Sequence, residues 1–175
     1  MKYLLAILIM TVFCISSHSL FADSDDRRGP DVSAVNNQLY ADECGSCHFA
    51  YQAAFLPERS WRKLMANLED HFGENAELDE GDRKAIEAYL VNNAGDHSNY
   101  RRARKFMRSI ASGDTPLRIT EVPYFVHEHN EIPKRVLQSD QVRSLSNCDV
   151  CHQQAVKGSY REREINIPGY GRWDD

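Results

Sequence analysis

Two pentapeptides in this chain repeat one pattern of reactive side chains: Cys44-Gly45-Ser46-Cys47-His48 and Cys148-Asp149-Val150-Cys151-His152. Each reads C-x-x-C-H. Two thiols at that spacing reach the two vinyl groups of one porphyrin and form thioethers, and the adjacent imidazole then lies beneath the iron as its proximal ligand. The spacing therefore predicts two covalently bound haem c groups, held by Cys44, Cys47, Cys148 and Cys151, with His48 and His152 as axial ligands. A zinc site could use the same four sulfurs, but 100 residues separate Cys47 from Cys148 and neither histidine would have a role. Disulfides within such close pairs are usually redox-active rather than structural, and pairing across the chain ignores both histidines.

Each iron has a sixth position. Beyond the leader only Met65 and Met107 offer a thioether, and both sit on apolar helical stripes that suit a core role. Four histidines remain: His71, His97, His127 and His129. His71 continues the face of Trp61, Leu64, Met65 and Leu68 on a helix read from Ser60 to His71, with Gly73 as its stop, and is the candidate for the first haem. For the second, Val122, Phe125, Val126 and His129 share one helical stripe, whereas His127 falls with Thr120, Pro123 and Tyr124. His129 is the expected ligand and His127 the alternative. His97 lies in the polar stretch 92–99 and reads as a solvated linker histidine.

The elements that must position these groups are mainly helical. One helix is expected from about Ser33 to Ala41, leading into the first motif, then Ser60 to His71, then Asp79 to Asn93 with Asp79 as N-cap and Ile86, Tyr89 and Leu90 inward. The polar stretch ends a first haem domain, residues 23–97, and a second runs over 98–175. The second begins with a helix from Ser98 to about Ser112, apolar along Tyr100, Ala103, Met107 and Ile110. Its other side carries Arg101, Arg102, Arg104, Lys105 and Arg108, suited to haem propionates, to an acidic partner or simply to solvent. The tail from Gln153 is short enough to wrap the second haem or to serve as a docking surface.

Residues 1–22 read as a secretory signal peptide: Lys2, an apolar run from Leu4 to Ile15 containing Cys14, and a cleavage position after Ala22. The alternative is an uncleaved anchor. With 175 residues, a formal charge of −5 and 27% charged residues, the chain is too small for a large multidomain enzyme. A mean hydropathy of −0.57 excludes a polytopic membrane protein, and 21 basic against 26 acidic residues argue against nucleic-acid binding.

From Tyr40 to Tyr51, through Phe55-Leu56-Pro57-Glu58-Arg59-Ser60-Trp61, Asp70-His71-Phe72-Gly73-Glu74 and Arg118-Ile119-Thr120-Glu121, to Cys148–His152, the sequence resembles the small exported dihaem cytochromes c. The resemblance implies a periplasmic electron carrier with two low-spin, bis-histidine haems. It also implies an N-terminal domain similar to a reduced class I cytochrome c and a less regular second domain. Its partners would be a membrane b-type cytochrome or another quinol-linked donor and a soluble haem protein, in some members a high-spin monohaem cytochrome. Class I cytochromes use a distal methionine far downstream of the motif, whereas His71 follows His48 by only 23 residues. Histidine in place of methionine implies lower reduction potentials. The competing class is a peroxidase-like or gas-binding haem protein with one distal position open; a zinc-held binding module is the third.

Overall fold

Asn37 opens the first helix: its side chain accepts a hydrogen bond from the Tyr40 amide, and helix α1 runs Gln38–Gly45. The expected start at Ser33 is too early, because residues 33–36 are not helical and the capping asparagine lies after them. α1 thus carries Cys44 as part of its last turn and buries Tyr40. The computed structural model describes residues 29–173, and the leader read at 1–22 lies outside them.

Helix α2, Glu58–Met65, begins after Pro57, which ends the preceding extended chain without a lost amide bond. Ser60 is therefore a buried first-turn residue rather than the cap. Trp61 and Met65 face α3, Glu80–Asn92, which buries Ile86, Leu90 and Val91. The Asp79 carboxylate accepts from the Gly81 and Asp82 amides and starts α3 where the sequence places it. Between α2 and α3 the helical phase expected to reach His71 breaks at Ala66. A 3-10 turn over Leu68–Asp70 follows, so His71 sits on a loop. That loop folds back through Phe72 and Gly73, with φ values of 60° and 99°, and the His71 amide donates to the Glu74 carbonyl at 2.8 Å.

The polar stretch holds a 3-10 turn, Gly95–His97, tied to the first half by the Gly95 amide donating to the Leu56 carbonyl. His97 is exposed and meets Glu58 at 3.1 Å. Helix α4, Arg101–Ser109, is shorter than expected at both ends and buries Ala103 and Phe106, with Ile110 just beyond it. Phe106, outside the expected stripe, is its main inward residue, while Met107 is half-buried. A 3-10 turn, Ile119–Glu121, leads into α5, Pro123–His129, with proline at the tolerated first position. Val122 and Phe125 are buried there, but Val126 is 50% exposed, so the inward face is narrower than the sequence stripe. Two one-turn helices follow, α6 (Lys134–Leu137) and α7 (Cys148–Cys151), then an antiparallel hairpin of β1 (Asn166–Ile167) and β2 (Gly171–Arg172).

One core cluster runs from Val32 to Tyr160, and at its centre Phe55 packs against Phe106 and Tyr160 with ring centres 4.8 and 5.2 Å away. A smaller cluster of Val136, Val142 and Ile167 lies under the hairpin. The chain closes on itself where the Asp31 and Val32 amides donate to the Gly158 carbonyl and the Tyr160 amide donates to the Asp31 carboxylate. Gly158 has φ +74°, and a β-carbon there would meet the Val32 carbonyl oxygen at 2.2 Å. Gly158→Ala should cost about 2–4 kcal/mol through backbone strain and loss of this closure. Gly113→Ala, where a β-carbon meets nothing within 4 Å, should be close to neutral; chemical denaturation of the two variants checks the contrast.

Candidate haem sites

At the first site α1 delivers Cys44, half-buried, and the turn after it delivers Cys47, exposed. His48 follows, its Nδ1 2.8 Å from the Phe49 carbonyl, an arrangement that makes Nδ1–H the donor and leaves Nε2 as the electron-pair donor. Across from it the His71 loop brings a second imidazole to a ring-centre separation of 6.2 Å with the planes 15° apart. Phe72 packs edge-on against His71, and the Arg118 guanidinium lies over the Phe72 ring at 3.8 Å. Burial, the neighbouring His48 and Arg118 hold the His71 imidazole below its ordinary pKa and so neutral.

The second site is a more enclosed cleft. α7 supplies buried Cys148 and half-buried Cys151, and His152 follows them, bridged to Ile165. α5 places His129 opposite, with ring centres 6.1 Å apart and planes at 68°. His129 Nδ1 is held at 2.8 Å from the Phe125 carbonyl and its ring stacks on Phe125 at 3.9 Å, so Nε2 points away from its own helix. His127, on the same helix, is exposed and is not brought to His152. Burial pushes the His152 imidazole down to about 3, with His129 and Arg102 adding to the effect, and burial also lowers His129. Both are neutral, as ligands must be.

These residues fit haem c. A metal–imidazole bond of about 2 Å plus about 1.1 Å from nitrogen to ring centre, counted on both faces, gives about 6 Å. Both histidine pairs have that separation. The four cysteines are free thiols, and burial pushes Cys44 up to about 11 and Cys148 up to about 12. Among the described residues no three histidine, cysteine or acidic side chains converge on one point, so the tetrahedral zinc arrangement is not assembled.

The family model for dihaem cytochrome c matches residues 40–160, a span that begins just before the first motif and ends beyond the second. The chain belongs to the dihaem cytochrome c family. This cytochrome is 48% identical to a dihaem cytochrome c from Rhodobacter sphaeroides, over 74% of its own length and 100% of that chain, with a TM-score of 0.67. A dihaem cytochrome c from Shewanella baltica OS155 is 42% identical over 79% of this chain and 98% of its own, with a TM-score of 0.65. No curated protein matches. The cytochrome carries two covalently bound haem c groups and has an electron-transfer role. Among the described residues no helix is long and apolar enough to cross a membrane.

Several residues of the second site escaped the sequence. Phe106, Tyr124 and Tyr160 line the cleft, and Tyr160 packs 5.1 Å from His152. Phe106 could have been found from the inward phase of Ala103 and Ile110; Tyr160 carries no local signal at all. Ile165, Ile167 and Trp173 of the tail also line the cleft, in keeping with the wrapping role. Of the basic cluster only Arg102 enters, lying between Asp31 and Glu128 with its side chain 14% exposed. Arg104 and Arg108 are exposed. Enclosure disfavours the extra positive charge of ferric iron, and Arg102 offsets the negative charge of Asp31 and Glu128 that would favour it. The second site should therefore titrate at the higher potential, and Arg102→Met should lower it by on the order of 50 mV, about 1 kcal/mol for one electron, without moving the first. A spectroelectrochemical titration of both proteins measures this.

Proposed function

We propose that this protein is an exported, periplasmic electron carrier in which both irons are closed by histidine pairs, His48 with His71 and His152 with His129. The observation that carries the reading is the pair of imidazole separations, 6.2 and 6.1 Å. Export is supported by the signal-like leader, Lys2 followed by the apolar run and Ala22. The proposed donor is a membrane b-type cytochrome or another quinol-linked protein, and the acceptor a soluble haem protein. Resemblance to the exported dihaem cytochromes supports that pairing.

Haem bound at each site supplies reversible one-electron exchange. The chain contributes rigidity. Phe49 and Phe125 carbonyls fix the ring orientation of His48 and His129 and raise their basicity, which favours the oxidised metal. The His71 turn and the Phe125 stack hold the facing imidazoles at one distance, so little has to rearrange when an electron arrives or leaves. Thioethers at the four cysteines keep the groups in place through both oxidation states. An enzyme of the peroxidase type would instead need one imidazole to swing away.

Absorption spectra of the matured protein, oxidised, reduced and reduced under carbon monoxide, test this directly. Two haems per chain, low-spin throughout and insensitive to carbon monoxide, are expected; a high-spin fraction or a carbon monoxide shift would overturn the closed-iron reading. His129→Ala should open the second iron to carbon monoxide, while His127→Ala should leave the spectrum unchanged. The two plane angles, 15° and 68°, add a finer expectation. Parallel imidazoles donate to the same iron dπ orbital and split the pair, whereas crossed imidazoles leave it nearly degenerate. Electron paramagnetic resonance of the oxidised protein should accordingly show one rhombic low-spin signal and one strongly anisotropic signal.

A further inference from the structure

Tyr51 touches the first haem-binding motif and the segment that leads into the second. It lies three residues beyond His48, and its ring stacks on that imidazole with centres 5.0 Å apart and planes at 23°. Its hydroxyl donates to the Ser146 carbonyl at 2.9 Å. The same carbonyl oxygen lies 3.8 Å from the Cys148 sulfur, the first thioether position of the other motif. One side chain therefore spans from the axial imidazole of the first site to a carbonyl beside the attachment sulfur of the second.

The surroundings fix Tyr51 in this pose. Its own carbonyl accepts from the Tyr40 hydroxyl at 2.8 Å. The next residue, Gln52, is buried and donates to the Ala155 carbonyl at 2.6 Å while accepting from the Tyr160 hydroxyl. These bonds lock the segment after His48 onto the segment after His152. Electronic coupling falls off more slowly through covalent bonds, stacked rings and hydrogen bonds than across a packing gap, and Tyr51 offers all three as far as Ser146, leaving one 3.8 Å step to the Cys148 sulfur.

We propose that Tyr51 is the bridge for electron exchange between the two haem sites, running from the His48 imidazole across the phenol ring and its hydrogen bond to Ser146 and on to the Cys148 sulfur. The proposal rests on the two-haem carrier reading above. One electron leaves ferrous iron at one site, which becomes ferric, and reduces ferric iron at the other. No bond forms or breaks, and Tyr51 keeps its proton and is neither oxidised nor reduced.

The test uses the full, matured cytochrome with Tyr51→Leu and Tyr51→Phe. Haem content, spectra and carbon monoxide response of the wild type come first; an open iron there would sink the carrier reading before any rate is taken. Intramolecular exchange is then read from the broadening of haem methyl resonances in half-reduced samples. Tyr51→Leu should slow it about tenfold and Tyr51→Phe severalfold, as a loss of coupling rather than a change in barrier, with both midpoint potentials unmoved. Unchanged exchange in both variants would overturn the bridge. If Tyr51→Leu fails to mature with two haems, Tyr51→Phe decides alone: it keeps the ring and removes the link to Ser146, so an unchanged rate refutes the route. Shifted potentials with unchanged exchange would show a merely structural side chain.

Discussion

A fixed gap between facing imidazoles is the constraint on which the rest of this fold depends. A side chain tethered to a flat group tolerates displacement of about half an ångström before a bond to its centre is lost. The chain meets that tolerance twice by different means. His48 and His152 are set by the motif turns themselves, where two flanking thiols leave the following imidazole little freedom. Opposite them, His71 is held by a four-residue turn closed through its own backbone, and His129 by the last turn of α5, with Phe125 supplying both a carbonyl and a stacking face. A loop and a helix solve the same problem because only the ring position matters.

A chain that gives its interior to two flat groups has little apolar volume left for an ordinary core. The consequence is visible in how the halves are joined. Gln52, buried among hydrophobic residues, satisfies both ends of its amide against Ala155 and Tyr160. Buried polar pairs of this kind give little net stability when made but cost about 1–3 kcal/mol when one partner is left unpaired, so they select one arrangement of the segments against others. The aromatic centre of Phe55, Phe106 and Tyr160 supplies the adhesion.

The attachment chemistry was legible because it is local: thiol spacing over four residues is a covalent requirement that no tertiary context alters. That His129 rather than His127 comes to face His152 also followed from local phase, since two residues along a helix point to nearly opposite faces. His71 was found for an incomplete reason. The apolar stripe led to it, yet the helix stops at Ala66 and the histidine is carried by the positive-φ turn at Phe72 and Gly73. The start of α1 was misjudged because the Asn37 side chain, further along, caps it in place of the nearer serine, whereas α4 starts after Tyr100 with no side-chain cap at all. Tyr160 and Gln52 were invisible, since they meet across 108 positions of chain. No periodicity records a contact of that span.

The clasp between Asp31 and the segment Gly158–Tyr160 joins groups up to 129 positions apart, nearly the whole described chain. A ribosome releases the early segment long before its partners exist. Pairing across so long a loop is intrinsically slow. Until it forms, the first pair of thiols waits on an unclosed polypeptide, within reach of the chemistry that must tether its haem, and the molecule seals only after the second pair has emerged.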